Sequence, residues 1–240
     1  MKIFVCLEAG PDGTGAFVPE CPGCWVFGRT RERALKKVKD AVKEWFEWLE
    51  RHGEKIPAKP GEFAVEVGEI LRVSYNPVEA GKPEPLFWSE VAPVKNKDIT
   101  RTIRLLEYSR SDLLKLVSGL SNKILDWQPP GKPRTIRNTL KHIAFVEWWY
   151  ITRLDVELPA RFPRDVFKLL NHTRRIVVDF LKSFPREKRS GVFQPKRDVG
   201  RKAKICNLWT ARKVLRRLVD HERLHTKYIE RALQMYKNQK

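Results

Sequence analysis

The sequence predicts an α+β unit in residues 1–95 followed by an all-α unit, a bundle of four helices, in residues 100–240. Short strand-like runs are confined to the first part of the chain, whereas the apolar residues beyond position 100 recur at helical spacing. The charge changes at the same place. Residues 1–100 hold 15 Lys and Arg against 16 Asp and Glu, and residues 101–240 hold 33 against 13. This asymmetry favours two units with different partners, and an anionic partner for the second.

The first unit is predicted to have the element order β-β-β-α-β. Turn residues at 11–13 and 22–23 separate three strand-like runs, and Thr30 is a suitable N-cap for a helix that ends near Gly53. A run with period-two alternation then predicts the fourth strand. The Pro-rich residues 77–93 are predicted as an edge strand and a linker. The strand-like runs are Lys2–Leu7, Ala16–Pro19, Cys24–Gly28 and Phe63–Val73.

The second unit is predicted to consist of amphipathic helices only. Thr135 and Thr210 stand where N-caps belong, and Pro163 stands at a first-turn position. Four such helices, each of 16 to 25 residues, would bury their apolar faces against one another as an antiparallel bundle. The predicted helices are Asp112–Trp127, Ile136–Leu154, Arg164–Phe184 and Ala211–Met235.

The composition is that of a globular protein, with 42% hydrophobic and 10% aromatic residues. No apolar run approaches the roughly 20 residues that a membrane helix needs, and the N-terminal MKIFVCLEAG is too polar for a signal peptide. We therefore expect a cytoplasmic protein without a membrane partner. The four cysteines are too few for a disulfide scaffold, so reduced thiols are expected. They are Cys6, Cys21, Cys24 and Cys206.

Residues 221–225, HERLH, match the H-E-x-x-H motif of zinc peptidases. On the last predicted helix His221 and His225 fall on the apolar seam that faces the core. Imidazoles four residues apart lie one turn apart on the same face, which suits chelation of a single ion. The extended peptidase pattern is absent, because Tyr228 and Arg231 stand where it requires Gly and a third His.

His142, on the second predicted helix of the bundle, supplies a third candidate imidazole. If the second and fourth helices are neighbours, the three histidines form a site with open coordination positions, as in reactive rather than structural metal sites. The alternative is a set of core histidines that hydrogen-bond to Asp220, to Glu147 or to the backbone. The residue pattern alone leaves both interpretations open.

The segments around these histidines resemble a known family. Residues 135–150, TIRNTLKHIAFVEWWY, and residues 214–229, VLRRLVDHERLHTKYI, resemble the DinB-like (YfiT-type) superfamily. The resemblance covers residues 100–240 and implies a four-helix bundle with a divalent metal, which would be zinc, nickel, iron or manganese. It also implies thiol-dependent transfer, isomerisation or hydrolysis as the chemistry. A peptidase is disfavoured, and Glu222 is expected to lie at the surface or beside the ligands. The implied metal ligands are His142, His221 and His225.

The Cys21-Pro22-Gly23-Cys24 motif lies between two strand-like runs. A reactive C-x-x-C normally opens a helix, whose N-terminus lowers the thiol pKa, so we predict a tight turn flanked by half-buried thiols. Residues 18–24, VPECPGC, together with Gly28 and Thr30, resemble the HicB-like family over residues 1–75. The resemblance implies a β-β-β-α-β fold of the kind seen in antitoxins and in fused modules. Because the bundle replaces the usual DNA-binding partner and the unit is nearly neutral, we predict a recognition or dimerisation module rather than an antitoxin.

Residues 182–217 form a strongly basic segment, with 13 Lys and Arg against two acidic residues. We predict an anion-binding rim beside the metal for a phosphorylated or carboxylated substrate. A solvated surface loop and a nucleic-acid contact are the alternatives, since phosphate neutralisation needs only such a patch. The candidate anion-binding residues are Arg197, Arg201, Lys202, Lys204 and Arg212.

Two functions follow from these observations. The first is a metal-dependent enzyme of the thiol-dependent transferase or hydrolase type that acts on a small, anionic molecule. The second is a non-catalytic module, in which the N-terminal unit pairs with a protein, a second copy of the chain included, while the basic bundle binds nucleic acid. The sequence names no general base for the first.

Overall fold

The computed structural model describes residues 1–56, 62–79, 85–195 and 208–239. Single 3-10 turns lie at Trp88–Glu90 and Arg186–Lys188. The strands are β1 (Lys2–Gly10), β2 (Gly13–Phe17), β3 (Val26–Gly28), β4 (Ala64–Arg72), β5 (Val192–Phe193) and β6 (Trp209–Thr210). The helices are α1 (Arg31–Arg51), α2 (Asn96–Val117), α3 (Asn122–Leu125), α4 (Ile136–Thr152), α5 (Val166–Lys182) and α6 (Ala211–Lys237).

The N-terminal unit is a mixed sheet that packs against α1, in the predicted β-β-β-α-β order. The strand order is β3-β2-β1-β4, with β1 antiparallel to β2 and parallel to β4. The Thr30 side chain starts α1 by accepting a hydrogen bond from the Arg33 backbone N–H. Gly53, with a φ of 75°, follows the end of α1, where glycine is favoured because it adopts this left-handed conformation without strain.

The prediction of an edge strand in the Pro-rich segment is wrong for the part of the segment that the structure describes. Residues 77–79 and 85–93 contain the 3-10 turn Trp88–Glu90 and no strand. The turn closes because the Glu90 carboxylate accepts a hydrogen bond from the Phe87 backbone N–H at 3.0 Å. Phe87 is fully buried against Cys6 and Phe17, so packing holds the segment on the sheet without strand pairing.

The first helix after the sheet differs most from the prediction. α2 begins at Asn96 rather than at Asp112 and ends at Val117, where the prediction continued to Trp127. Gly119, with a φ of 71°, breaks the helical path, and only the short α3 follows. The start was missed although Ile99, Ile103 and Leu106 recur at helical spacing, because the polar residues Ser109 and Arg110 then interrupt the apolar face before Leu113.

The other three helices lie within about two residues of their predicted bounds. The side chains of Thr135, Asp165 and Thr210 each cap a helix by accepting a backbone N–H hydrogen bond. α4 packs against α5 and α6, and α2 packs against α6 and α5. None of the helices in the described part of the chain is long and apolar enough to cross a membrane.

α6 is buried on more than the one seam that the sequence predicted. One cluster of buried apolar side chains joins Val5 of the sheet to Val214 and Leu218 of α6. The opposite, polar side of α6 contacts the N-terminal unit as well. The Gly23 backbone N–H donates to the Asp220 carboxylate, and the Arg223 guanidinium lies 3.8 Å from the centre of the Trp48 ring. The division at residues 95–100 stays a prediction, since the two units share this core cluster.

Candidate metal centre

Three imidazoles from two helices converge in the helical unit. His142 lies on α4, and His221 and His225 lie one turn apart on α6. One ring nitrogen of each residue can be chosen so that all three lie within 4.8 Å of one another. The Nε2 atoms of His142 and His221 are 3.1 Å apart. The predicted convergence of the three histidines is therefore confirmed, since nitrogens this close could share one cation.

The local sequence explains why the rings meet. Four-residue spacing stacks His221 and His225 on one face of α6, with ring centroids 4.4 Å apart. Thr135 caps α4 two turns before His142, and the packing of α4 on α6 brings its ring centroid to 4.9 Å from each of the other two. Two well-capped helices in direct contact thus fix the positions of all three rings.

The imidazoles are held in the neutral form that binds metals. Burial, assisted by the positive charge of Arg134, lowers the pKa of His142 to about 4. Burial, together with His142 and Arg134, lowers the pKa of His225 to about 3. Burial also lowers the pKa of His221 well below its ordinary value, and the neighbouring His225 adds to this shift. At neutral pH all three rings therefore have a lone pair available for a cation.

The three-histidine group fits a divalent metal better than it fits a hydrogen-bonded core. The carboxylates that would serve as partners in a core are engaged elsewhere. Asp220 accepts from Arg216 at 2.7 Å and from the Gly23 N–H, and Glu147 accepts from Arg110, Thr173 and Arg174. The buried nitrogens are left facing one another, an arrangement that a shared cation would satisfy.

A buried quartet of charges lies beside the histidines, and the sequence did not reveal it. The quartet consists of Arg110, Glu147, Arg174 and Glu222, one residue from each of the helices α2, α4, α5 and α6. Arg110 donates to Glu222 at 2.6 Å and to Glu147 at 3.1 Å, and Arg174 pairs with both carboxylates. Each Arg therefore bridges the helix of His142 to the helix of His221 and His225.

Glu222 was expected at the surface or beside the ligands, and the surface position is wrong, because its side chain is 2% exposed. Burial alone would raise its pKa, but Arg110 and Arg174 hold the pKa of this carboxylate below its usual range. A carboxylate locked between two guanidinium groups is a poor proton acceptor. This geometry agrees with the sequence argument against a peptidase, in which Glu222 would be the general base.

Cationic and phenolic groups surround the imidazoles, and the sequence analysis missed them. Burial is the main cause of the lowered pKa of His221 and His225, and the positive charges of Arg134 and Arg217 lower it further. Tyr228 packs on His225, and its hydroxyl donates to the Arg134 backbone carbonyl at 3.1 Å. Arg217 donates to the Tyr150 hydroxyl at 2.9 Å, and the Tyr150 ring lies edge-on to His221. The one available signal was the position of Arg134 directly before the N-cap of the His142 helix.

The predicted anion-binding rim is described only in part. Arg197, Arg201, Lys202 and Lys204 lie outside the described residues, and their role stays a prediction. The Arg212 guanidinium donates to the carbonyls of Ala92 and Pro93 at 3.0 and 2.7 Å, and it pairs with Asp98 at 3.0 Å. Arg212 thus holds the segment before α2 against α6.

The C-x-x-C motif forms the predicted turn, but its thiols are buried rather than half-buried. Cys21 and Cys24 are each 2% exposed, and the Cys24 N–H donates to the Cys21 carbonyl at 3.0 Å. The Cys24 thiol donates to the Ala41 carbonyl, and burial raises its pKa well above the ordinary value. Cys6, Cys21 and Cys24 are free thiols, while Cys206 lies outside the described residues. A buried, protonated thiol is a weak nucleophile, so the motif is structural.

The fold and the three-histidine group define a class of protein, a helical protein that carries three converging histidines and an added α+β unit. Comparison with known families gives the same result. Residues 105–229, just over half of the 240-residue chain, match the DinB superfamily. The chain belongs to the DinB superfamily.

The N-terminal unit has a relative of its own. The UPF0150 protein Ta0767 of Thermoplasma acidophilum is 40% identical over 58 residues, which are 24% of this chain and 84% of that protein. This similarity supports the HicB-like resemblance of the N-terminal part. No solved structure matches the chain.

Proposed function

We propose that the chain is a metal-dependent enzyme in which His142, His221 and His225 hold one divalent cation within a four-helix bundle. The observation that supports this most directly is the approach of the three ring nitrogens to within 4.8 Å. Their neutral state and their position between two packed helices support it further. Membership of the DinB superfamily agrees with such a site.

The bound cation would supply Lewis acidity for a substrate oxygen or a thiol. The identity of the metal stays open among zinc, nickel, iron and manganese, since imidazole ligands do not discriminate among them. Three protein nitrogens leave coordination positions for a substrate. The charge quartet keeps α4 and α6 in register, so the three nitrogens retain their spacing when a substrate enters.

An anionic substrate is the class that this site favours. The Arg134 guanidinium makes no ion pair with a carboxylate in the described part of the chain, although its charge acts on all three histidines. A carboxylate or phosphate next to the imidazoles would therefore meet a free guanidinium. The reaction type that we propose is thiol-dependent transfer or hydrolysis, as the family resemblance implies.

Metal content tests the proposal. Protein produced without a histidine tag is expected to contain about one divalent metal per chain, and His225→Ala is expected to lose at least about nine-tenths of it, because two imidazoles chelate poorly. His172→Ala is the matched control, since His172 lies on α5 away from the group. Elemental analysis by mass spectrometry gives the result. Equal metal in wild type and His225→Ala would overturn the proposal.

Arg134→Gln tests the substrate class. We expect this variant to keep its metal and to bind succinate, a small dicarboxylate probe, about tenfold more weakly, the size of one charge-assisted hydrogen bond. Arg137→Gln is the control, because Arg137 is already paired with Asp126 at 2.6 Å. Isothermal titration of the metal-loaded proteins measures both. Unchanged succinate affinity in Arg134→Gln would remove Arg134 from the substrate site.

A non-catalytic role is a second candidate, supported by the excess of 33 Lys and Arg over 13 Asp and Glu in residues 101–240. In that role the bundle would bind nucleic acid and the N-terminal unit would pair with a protein or a second copy of the chain. Mobility-shift assays across a salt series separate the two roles. Nucleic-acid binding requires an affinity that falls steeply with salt, because phosphate contacts release counterions. Cytoplasmic location and homodimerisation stay predictions.

A further inference from the structure

A cleft of about 670 Å³ lies between the sheet and the helices, apart from the three histidines. Its walls come from β1, β4, the Cys21–Cys24 turn, the Trp88–Glu90 turn, α2 and α6. This volume is in the range of sites for small organic molecules, about 300–1,000 Å³, and such sites often lie between domains. The residues that decide its chemistry are Phe4, Glu69, Trp88, Lys97, Arg101 and Arg216.

Arg216 lines the cleft, and one of its hydrogen-bond donors is unused within the described residues. Its side chain is 4% exposed, and it donates through Nε to Glu90 at 2.6 Å and through Nη1 to Asp220 at 2.7 Å. Its Nη2 atom is buried and has no hydrogen-bond partner among the residues that the structure describes. A buried guanidinium N–H without an acceptor is costly, so this atom indicates a missing oxygen.

The sheet wall offers an unused acceptor beside exposed rings. Glu69 Oε2 accepts from the Trp88 backbone N–H at 2.8 Å, whereas Oε1 is buried and without a partner among the described residues. Trp88, which this bond positions, has an exposed fraction of 80%, and Phe4 in the same wall has one of 45%. Two large rings left in water beside a carboxylate favour a ligand with an apolar group next to a hydrogen-bond donor.

The helix wall carries the opposite charge. Lys97 and Arg101 lie one turn apart on α2 and both line the cleft. Neither makes an ion pair with a carboxylate in the ranges that the structure covers, although Arg101 donates to the Glu20 backbone carbonyl at 3.1 Å. The cleft therefore has unpaired cations on α2, an unpaired donor on α6 and an unpaired carboxylate on the sheet. A ligand that spans it needs one negative and one positive group.

We propose that this cleft binds a free α-amino acid with an aromatic side chain. The carboxylate would accept from Arg216 Nη2, with Lys97 and Arg101 nearby, and the ammonium group would donate to Glu69 Oε1. The aromatic ring would lie on Phe4 and Trp88. Arg216 and Asp220 lie on α6 in the two turns before His221, so the ligand would contact the helix that carries two of the three histidines.

Isothermal titration of the full chain with L-phenylalanine tests the proposal. The comparison ligands are 3-phenylpropionate, which lacks the ammonium group, and phenethylamine, which lacks the carboxylate. Each is expected to bind at least about tenfold more weakly than L-phenylalanine, because each leaves one buried hydrogen-bonding atom of the cleft, Glu69 Oε1 or Arg216 Nη2, without a partner. His225→Ala is expected to bind L-phenylalanine as wild type does, which separates this site from the proposed metal centre.

Two variants locate the site. Glu69→Gln is expected to weaken the binding of L-phenylalanine at least about tenfold and to leave the binding of 3-phenylpropionate unchanged. Trp88→Ala is expected to weaken the binding of both ligands. Both positions border solvent, and an unchanged melting temperature would show that the fold is retained. If L-phenylalanine does not bind at concentrations up to about 10 mM, the proposal is overturned. That result is expected if water molecules alone hydrogen-bond to Arg216 and Glu69. Equal affinities for the three ligands, or full affinity in Glu69→Gln, also overturns it.

Discussion

Arg110→Met is expected to lower the free energy of unfolding by about 3–5 kcal/mol, because it leaves Glu147 and Glu222 buried with one cation between them. Both carboxylates are almost fully buried, and Arg174 cannot neutralise two negative charges. Methionine keeps the apolar volume of the arginine stem, so the loss reports the charge rather than a cavity. Denaturation by urea, followed by circular dichroism, measures the change.

Arg137→Met is the matched control for this loss. Arg137 also pairs with a carboxylate, at 2.6 Å, but its partner Asp126 is 54% exposed. Exposed ion pairs contribute about 0–1 kcal/mol, so this variant should stay close to wild type. A loss below about 1 kcal/mol in Arg110→Met, equal to that of the control, would show that the quartet does not stabilise the bundle.

Zinc is expected to raise the free energy of unfolding of metal-stripped protein by about 3–4 kcal/mol at 100 to 1,000 times its dissociation constant. The reason is that the three nitrogens are together only in the folded chain, so the ion binds the folded state preferentially. For a chain of this size the melting temperature should rise by about 5–16 °C. Calorimetry with and without zinc sulfate measures the shift, and manganese should produce a smaller one because imidazole binds it more weakly.

His221→Ala is the decisive control for the zinc effect. It removes one of the three imidazoles of the group, so the stripped variant should gain little from zinc. His172→Ala keeps the group intact and should respond as wild type does. The same increase in melting temperature for wild type and His221→Ala would mean that zinc stabilises the fold from another position, and the proposed centre would have to be abandoned.

The sequence predicted the parts of the fold that depend on local signals. Threonine N-caps at positions 30, 135 and 210 marked the starts of three helices, and the structure has each of them there. Four-residue spacing placed His221 and His225 on one face, His142 on the second predicted helix supplied the third candidate, and the resemblance to a known family implied the same three residues. These signals lie within a few turns of helix, so short segments are enough to read them.

The charge quartet could not be predicted from the sequence, because it depends on contacts between residues that are far apart along the chain. Arg110 is 37 residues from Glu147 and 112 residues from Glu222 along the chain. Its helix was placed too late because Ser109 and Arg110 itself interrupt the apolar face just before Asp112. A buried Arg and a surface Arg look alike in sequence, and only the packing of four helices distinguishes them.

The burial of α6 could not be predicted for a related reason. An isolated bundle would leave Arg216, Asp220 and Arg223 in water, and their charges indicate such a surface. Instead the N-terminal unit covers that side through the Glu90, Gly23 and Trp48 contacts. The surroundings of the candidate site could not be predicted for the same reason, since Arg134 approaches the histidines through tertiary packing only.

The position of α6 in the shared core also bears on how the chain folds during synthesis. Domains that emerge first from the ribosome generally fold first. Here Val5 of the N-terminal sheet shares one cluster of buried apolar side chains with Val214 and Leu218, which are translated long after it. Until α6 has left the exit tunnel, that cluster lacks the side chains of α6, so the shared core reaches its final packing only once translation has passed the last helix.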